Sequence, residues 1–190
     1  MVEAWCLSNN NEQDVTYLSI DKVILSTGVE LHRIDDHTTA SSHPSLNHPA
    51  VVERYDIILT DYVDTNAPPG DLNQLEYLAE LEKFYKPHFH LTDEIRYIKD
   101  GGCFIDVLFV EGDWVRLHLR AGDLLVIPAG LYHRVSLDDN RYVKATGYFK
   151  SRGLGDDYEP LFDCEANHPV KTLYRQTLMS IDSTMCPRSV

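Results

Sequence analysis

The chain has 190 residues, 43% of them hydrophobic and 25% charged, with a net charge of −13, which suits one globular unit with a packed core. Such an acidic balance repels phosphate backbones and anionic lipid surfaces, and so argues against a nucleic-acid or membrane partner. No run approaches the roughly 20 apolar residues of a spanning helix, and the opening Met1–Cys6 lacks the basic and apolar regions of a secretory signal. The four cysteines, Cys6, Cys103, Cys164 and Cys186, are scattered and show no Cys-x-x-Cys spacing. The expected compartment is therefore a reducing one, the cytoplasm or the nucleus.

Short apolar runs occupy 2–7 and 15–34, clearest at Val23, Ile24, Leu25 and Val29. Residues 35–50, rich in His, Ser, Thr and Pro, read as a polar loop. Segment 51–63 is β-branched and aromatic and reads as a strand, although imperfect alternation leaves helix open. Pro68-Pro69-Gly70 breaks the chain, and Asp71 then reads as the N-cap of a helix carrying Leu72, Leu75, Leu78, Ala79 and Leu81, which Pro87 ends. From 94 onward the pattern is β, with strands expected at 103–110, 114–119, 124–127, 132–137 and 142–149. Turn signals at Glu111-Gly112-Asp113, Gly122-Asp123, Pro128-Ala129-Gly130 and Asp138-Asp139-Asn140 separate them. Short strands at this pace predict a mainly β fold, a barrel or sandwich with a few peripheral helices. One unit is expected over 1–175, with its barrel core at about 84–150; 150–160 reads as loop and 176–190 as a loosely held tail.

Of nine histidines, His32, His37, His43, His48 and His168 sit in polar or Pro-containing stretches and read as surface residues. His118 reads as solvent-facing, because Arg116 and Arg120 share its strand face. His88-Phe89-His90 is different: residues i and i+2 of a strand point to one side, so two imidazoles can grip one ion. Glu94 adds a carboxylate four residues later. Gly101 and the stretch Gly122-x5-Pro128-x-Gly130-x2-His133 then place a third histidine one hairpin away, where closure of a barrel brings it opposite the first pair. Three imidazoles and one carboxylate suit divalent iron, nickel, manganese, copper or zinc. A His-rich set in a barrel mouth favours catalysis over a structural ion, since structural zinc sites use Cys-rich sets.

These residues resemble the two motifs of the cupin superfamily, whose fold is a double-stranded β-helix or jelly-roll barrel. Within it they are most similar to the acireductone dioxygenase family. The likeness is carried by His90-Leu-Thr-Asp-Glu-Ile-Arg-Tyr-Ile-Lys-Asp-Gly, Gly112-Asp-Trp-Val-Arg, Gly122-Asp-Leu-Leu-Val-Ile-Pro-Ala-Gly-Leu-Tyr-His-Arg and the opening Met-Val-Glu-Ala-Trp. It is good over 84–145 and weaker over 1–83, and none is apparent after 150. The resemblance implies O2-dependent cleavage of an enediolone in methionine salvage, giving a 2-oxo acid and formate with Fe(II), or carbon monoxide, formate and a shortened acid with Ni(II). It implies that His88, His90, Glu94 and His133 hold the metal and that Arg96 stabilises oxyanion charge on the substrate. The competing reading of Arg96 is an ion pair with Asp93 or Asp106. Phe84, Ile98 and Phe104 are candidate apolar wall. The departures from the family pattern fall at Pro87, at Ser26–Ile34, at Val135, where an aromatic is usual, and at Gly147, where the family carries arginine. The last two imply a larger, less cationic pocket. They also favour a diverged paralogue acting on another enol, enolate or phenolic substrate, as a dioxygenase or a Lewis-acid isomerase or cyclase. A non-catalytic small-molecule-binding cupin is the reading from a different class.

Overall fold

A computed structural model describes residues 2–7, 16–34, 46, 51–60, 82–109, 112–150, 159–162 and 168–185, with backbone alone over 51–60 and over 181–185. The elements run β1 (Glu3–Leu7), α1 (Ile20–Thr27), β2 (Glu30–Arg33), β3 (Val51–Thr60), β4 (Glu94–Leu108), β5 (Trp114–Arg120), β6 (Asp123–Ile127), β7 (His133–Leu137), β8 (Tyr142–Lys150) and α2 (Pro169–Met185). Residues 51–60 are thus strand, as their β-branched content predicts. Residues 82–85 are helical; the rest of the helix expected after Asp71 lies outside the described residues, as do the stretches 35–45 and 151–158 read as loops.

The fold is organised by β4. Its first half pairs antiparallel with β6 on one side and β8 on the other; its second half pairs with β5 and β7. One strand of 15 residues therefore belongs to both halves of a curled sheet. The register shifts between Ile98 and Asp100, which reverses the faces: Glu94, Arg96 and Ile98 point inward before the shift, Cys103, Ile105 and Val107 after it. Gly101 lies in this bend at φ +70°, and a Cβ there would run into the carbonyl of Tyr142. The sequence pattern starts the strand at 103. The structure carries the chain through it, because pairing with β8 as far as Gly101 and with β5 from Gly102 leaves no break in the ladder.

The inward residues stack in layers. Register puts Glu94 across from Ile127 and Phe149, and Val107 across from His133 and Val115. One step deeper come Arg96 with Leu125 and Gly147, and Ile105 with Val135 and Leu117. Ile98, Ile105, Val107, Val115, Leu117, Leu119 and Leu125 are wholly buried, each contributing about 1.5–3 kcal/mol through removal from water. Cys103 belongs to this core, and burial pushes its thiol up to about 12. It remains protonated at working pH and lacks the thiolate that reacts. Alkylation of the native protein with iodoacetamide at pH 8, followed by peptide mapping, is expected to leave Cys103 unmodified until denaturant is added.

Two helices support the barrel from outside. In α1, the Ser19 side chain accepts from Lys22 N, and the N–H of Gly28, at φ +67°, donates to the Ile24 carbonyl at 2.7 Å. These caps end the helix at both sides, a structure that the apolar run alone leaves undefined. The sequence reads 176–190 as a loose tail; instead, α2 continues to Met185. Its apolar stripe of Val170, Tyr174 and Leu178 follows i, i+4, i+8 spacing, diluted by polar neighbours. Tyr174 Oη donates to the Thr27 carbonyl at 2.9 Å, and Leu178 is buried. Among the described residues, no helix is long and apolar enough to cross a membrane.

Candidate metal centre

Two backbone segments bring the histidines together. His88 and His133 form an antiparallel bridge, each N–H donating to the other's carbonyl at 2.9 Å. The Gly130 N–H donates to the His90 carbonyl at 3.0 Å, which ties the Pro128–Gly130 turn to the same segment. Alternation then points His88 and His90 inward and Phe89 outward. His88, His90 and His133 can each offer a ring nitrogen within 4.8 Å of the others, and all three are buried. Their ring centroids lie 4.5–5.5 Å apart.

The nitrogens are oriented from behind. His88 Nδ1 lies 2.7 Å from the Lys86 carbonyl, and His133 Nδ1 lies 3.0 Å from the Leu131 carbonyl. A carbonyl only accepts, so both Nδ1 carry a proton and both Nε2 are turned to the cluster. Both ring nitrogens of His90 are buried without a hydrogen-bond partner, a costly arrangement that a cation at the cluster relieves at one of them. Burial, with His133 and His90 adding to it, lowers His88 to about 2, so the imidazole stays neutral and able to ligate. This donor set fits a divalent transition metal.

Glu94 closes the cluster on the side of His133 and His90. Its Oε2 stands 3.1 Å from His133 Nε2 and 3.4 Å from His90 Nε2. Its Oε1 takes both Nε (3.0 Å) and Nη2 of Arg96. Burial alone would raise the carboxyl, but Arg96 and the neighbouring imidazoles hold it well below the carboxylate range. Arg96 is itself buried, with its guanidinium 5.6 Å from the Phe84 ring centroid. It therefore forms neither ion pair considered from sequence: Asp93 binds Lys150 and the Ala129 N–H, and Asp106 binds Arg116 and Arg134.

The wall residues divide. Ile98 and Val135 are in the core, Gly147 is buried directly across from Arg96, and Phe84 stands beside Arg96. Phe104 is not brought to the cluster. The register shift in β4 turns it to the outer face, where it packs on Trp5 and under the guanidinium of Arg116. His118, expected to face solvent, is 16% exposed and lies 3.0 Å from Asp138 Oδ2; Gly102, lacking a side chain, lets that carboxylate approach. His32 remains part-exposed, whereas His168 packs its ring 5.4 Å from that of Phe89. His37, His43 and His48 lie outside the described residues. Sequence reasoning missed Phe162, whose ring centroid is 5.8 Å from that of His88; no motif signals it.

A barrel holding a buried three-histidine cluster defines a metal-dependent cupin. The family description "ARD/ARD' family" matches residues 21–154, and the chain belongs to that family. It is 32% identical over 182 residues to acireductone dioxygenase 3 of Physcomitrium patens, covering 92% of this chain and 84% of that protein. It is also 32% identical over 157 residues to acireductone dioxygenase of Gallus gallus, covering 78% and 83%. The first alignment reaches beyond residue 150, where the motifs alone show no likeness. Among solved structures, a cadmium-bound acireductone dioxygenase from Bacillus anthracis superposes with a TM-score of 0.58 at 18% identity, over 85% of this chain and 98% of that one, a likeness of fold. The chain is thus a metal-dependent cupin enzyme of the dioxygenase type.

Proposed function

We propose that this enzyme cleaves an enediolone of the acireductone type with O2, in methionine salvage, and that His88, His90, Glu94 and His133 hold Fe(II) or Ni(II). The observation that carries the reading is the buried cluster itself: three imidazoles with a carboxylate turned toward two of them, in a chain of this family. When bound, the metal supplies Lewis acidity toward the oxygens of an enediol substrate. The protein's part is to hold its donors rigid. Lys86 and Leu131 carbonyls fix two imidazole tautomers, and Arg96 fixes the Glu94 carboxylate. Arg96 also carries positive charge into a water-poor layer where it can stabilise oxyanion charge on the substrate. Oxygen uptake with synthetic acireductone is expected to be rapid in protein loaded with Fe(II) or Ni(II). No uptake by metal-replete protein would remove the salvage role.

A second reading has its own observation. Gly147 and Val135 lie in the same layer as Arg96, one step beneath the cluster, and both are smaller than the side chains usual in the family. A wider, less cationic chamber there suits another enol or phenolic substrate, for oxygenation or for Lewis-acid isomerisation or cyclisation. Under this reading acireductone is a poor substrate of the natural chain, and Gly147→Arg improves it.

A further inference from the structure

Residues 159–162 cross the segment that bears His88 and His90. Phe89 N donates to the Leu161 carbonyl at 3.2 Å, and Leu161 N donates to the Phe89 carbonyl at 2.9 Å. This antiparallel bridge fixes register, and alternation then puts Phe162 on the face of His88, opposite Phe89 and Leu161. The rings of Phe162 and His88 meet at 5.8 Å between centroids with a 59° tilt. The register is anchored from behind: Phe89 is wholly buried, with the His168 ring at 5.4 Å and the Lys171 ammonium 5.4 Å from its ring centroid. Around His88, one ring edge is taken by the Lys86 carbonyl, and His90 and His133 stand beside it. Glu94 flanks His90 and His133, and Arg96 binds Glu94. The His88 side of the cluster is thus bordered by a phenyl ring.

We propose that Phe162 is a specificity-determining residue: its ring is the apolar wall beside His88, and the substrate carries an apolar substituent that lies against it. A phenyl group offers no hydrogen bond, so what it accepts at a metal centre is the hydrocarbon-like end of a molecule whose polar end meets the metal. The match to the family description stops at residue 154, so this wall lies beyond the stretch that carries the metal-binding motifs. The proposal rests on the reading of the cluster as a metal centre open to a small molecule.

The test uses n-alkyl hydroxamates, bidentate oxygen chelators, titrated into the full-length Ni(II)-loaded protein by calorimetry, from acetohydroxamate to hexanohydroxamate. In the natural chain, affinity is expected to rise about fourfold per added methylene, the increment for burial of one such group. In Phe162→Ala the increment should fall to nearly none, with acetohydroxamate affinity and bound nickel unchanged. Phe162→Leu, which keeps an apolar side chain and guards against loss of folding, should give an intermediate increment. Equal increments in the natural chain and the variants overturn the proposal, as does an equal loss of affinity for the shortest and longest probes. Tight binding of acetohydroxamate without chain-length dependence in the natural chain sinks the wall alone. Failure of acetohydroxamate to bind the nickel-loaded natural chain removes the open metal centre, and with it both readings.

Discussion

Replacing His133 with alanine is expected to release the metal and abolish turnover while leaving the barrel folded. His133 is wholly buried; its Nδ1–H is spent on the Leu131 carbonyl, and its Nε2 faces Glu94 Oε2 at 3.1 Å. Loss of a group that merely orients a ligand weakens metal sites by about 10–100-fold, so loss of the ligand itself should exceed about 100-fold. The backbone bridge to His88 does not depend on the imidazole, and strand β7 keeps its register on β4 through Val135 and Leu137. The cost to folding is then that of a cavity, about 2–4 kcal/mol. Metal content after dialysis, urea unfolding and oxygen uptake measure the three consequences. His168→Ala is the control: that histidine is also part-buried against Phe89, but its ring packs behind the ligand segment, and the variant should keep its metal. A His133→Ala protein that retained stoichiometric metal would remove the assignment of the centre.

How much of this is legible in the sequence follows from which forces are local. Strands β4 to β8 were readable because turn glycines and alternation are written into consecutive residues, and the His88–His133 pairing was readable because motif spacing encodes closure of one hairpin. The faces of β4 were not. The register shift between Ile98 and Asp100 is imposed by pairing to two sets of partners, and it turned Phe104 outward and Ile105 inward against the simple period-2 count. Arg96 faces inward, and its carboxylate partner is Glu94, two residues away, rather than Asp93 or Asp106. An inward arginine has no water to turn to, so it takes the nearest buried carboxylate. α2 was lost because Val170, Tyr174 and Leu178 are separated by charged and hydroxyl residues, and its stability comes from docking on α1 through Tyr174 and Thr27. His118 is less exposed than its outer strand face suggests for a similar reason: Gly102, on the neighbouring strand, admits the Asp138 carboxylate to 3.0 Å from its ring.

Arg96→Met should have the second large effect, and its sign with pH and metal identifies its origin. The guanidinium is the counter-charge of a wholly buried carboxylate. Methionine keeps much of the volume and the contact with Phe84 but strands the charge, at a cost of about 3–5 kcal/mol in metal-free protein. In the natural chain, Glu94 is held below its ordinary value of 4.5. Its contribution to stability is therefore present above that value and lost as pH falls through the lowered one. Without Arg96, burial dominates and raises the carboxyl above 4.5. The unfolded chain then gives up this proton at lower pH than the folded one, and the variant loses stability as pH rises through 4.5 toward the raised value. The gap between variant and natural chain is thus widest at neutral pH and shrinks on acidification. A divalent cation held by Glu94 and the three histidines replaces the missing counter-charge, so metal should narrow the gap at pH 7. Urea midpoints at pH 7 and pH 5, each with and without metal, separate these terms. A gap insensitive to pH would mean that packing rather than the stranded carboxylate is responsible. A gap insensitive to metal would mean that Glu94 is not among the ligands and that the metal centre consists of the three histidines alone.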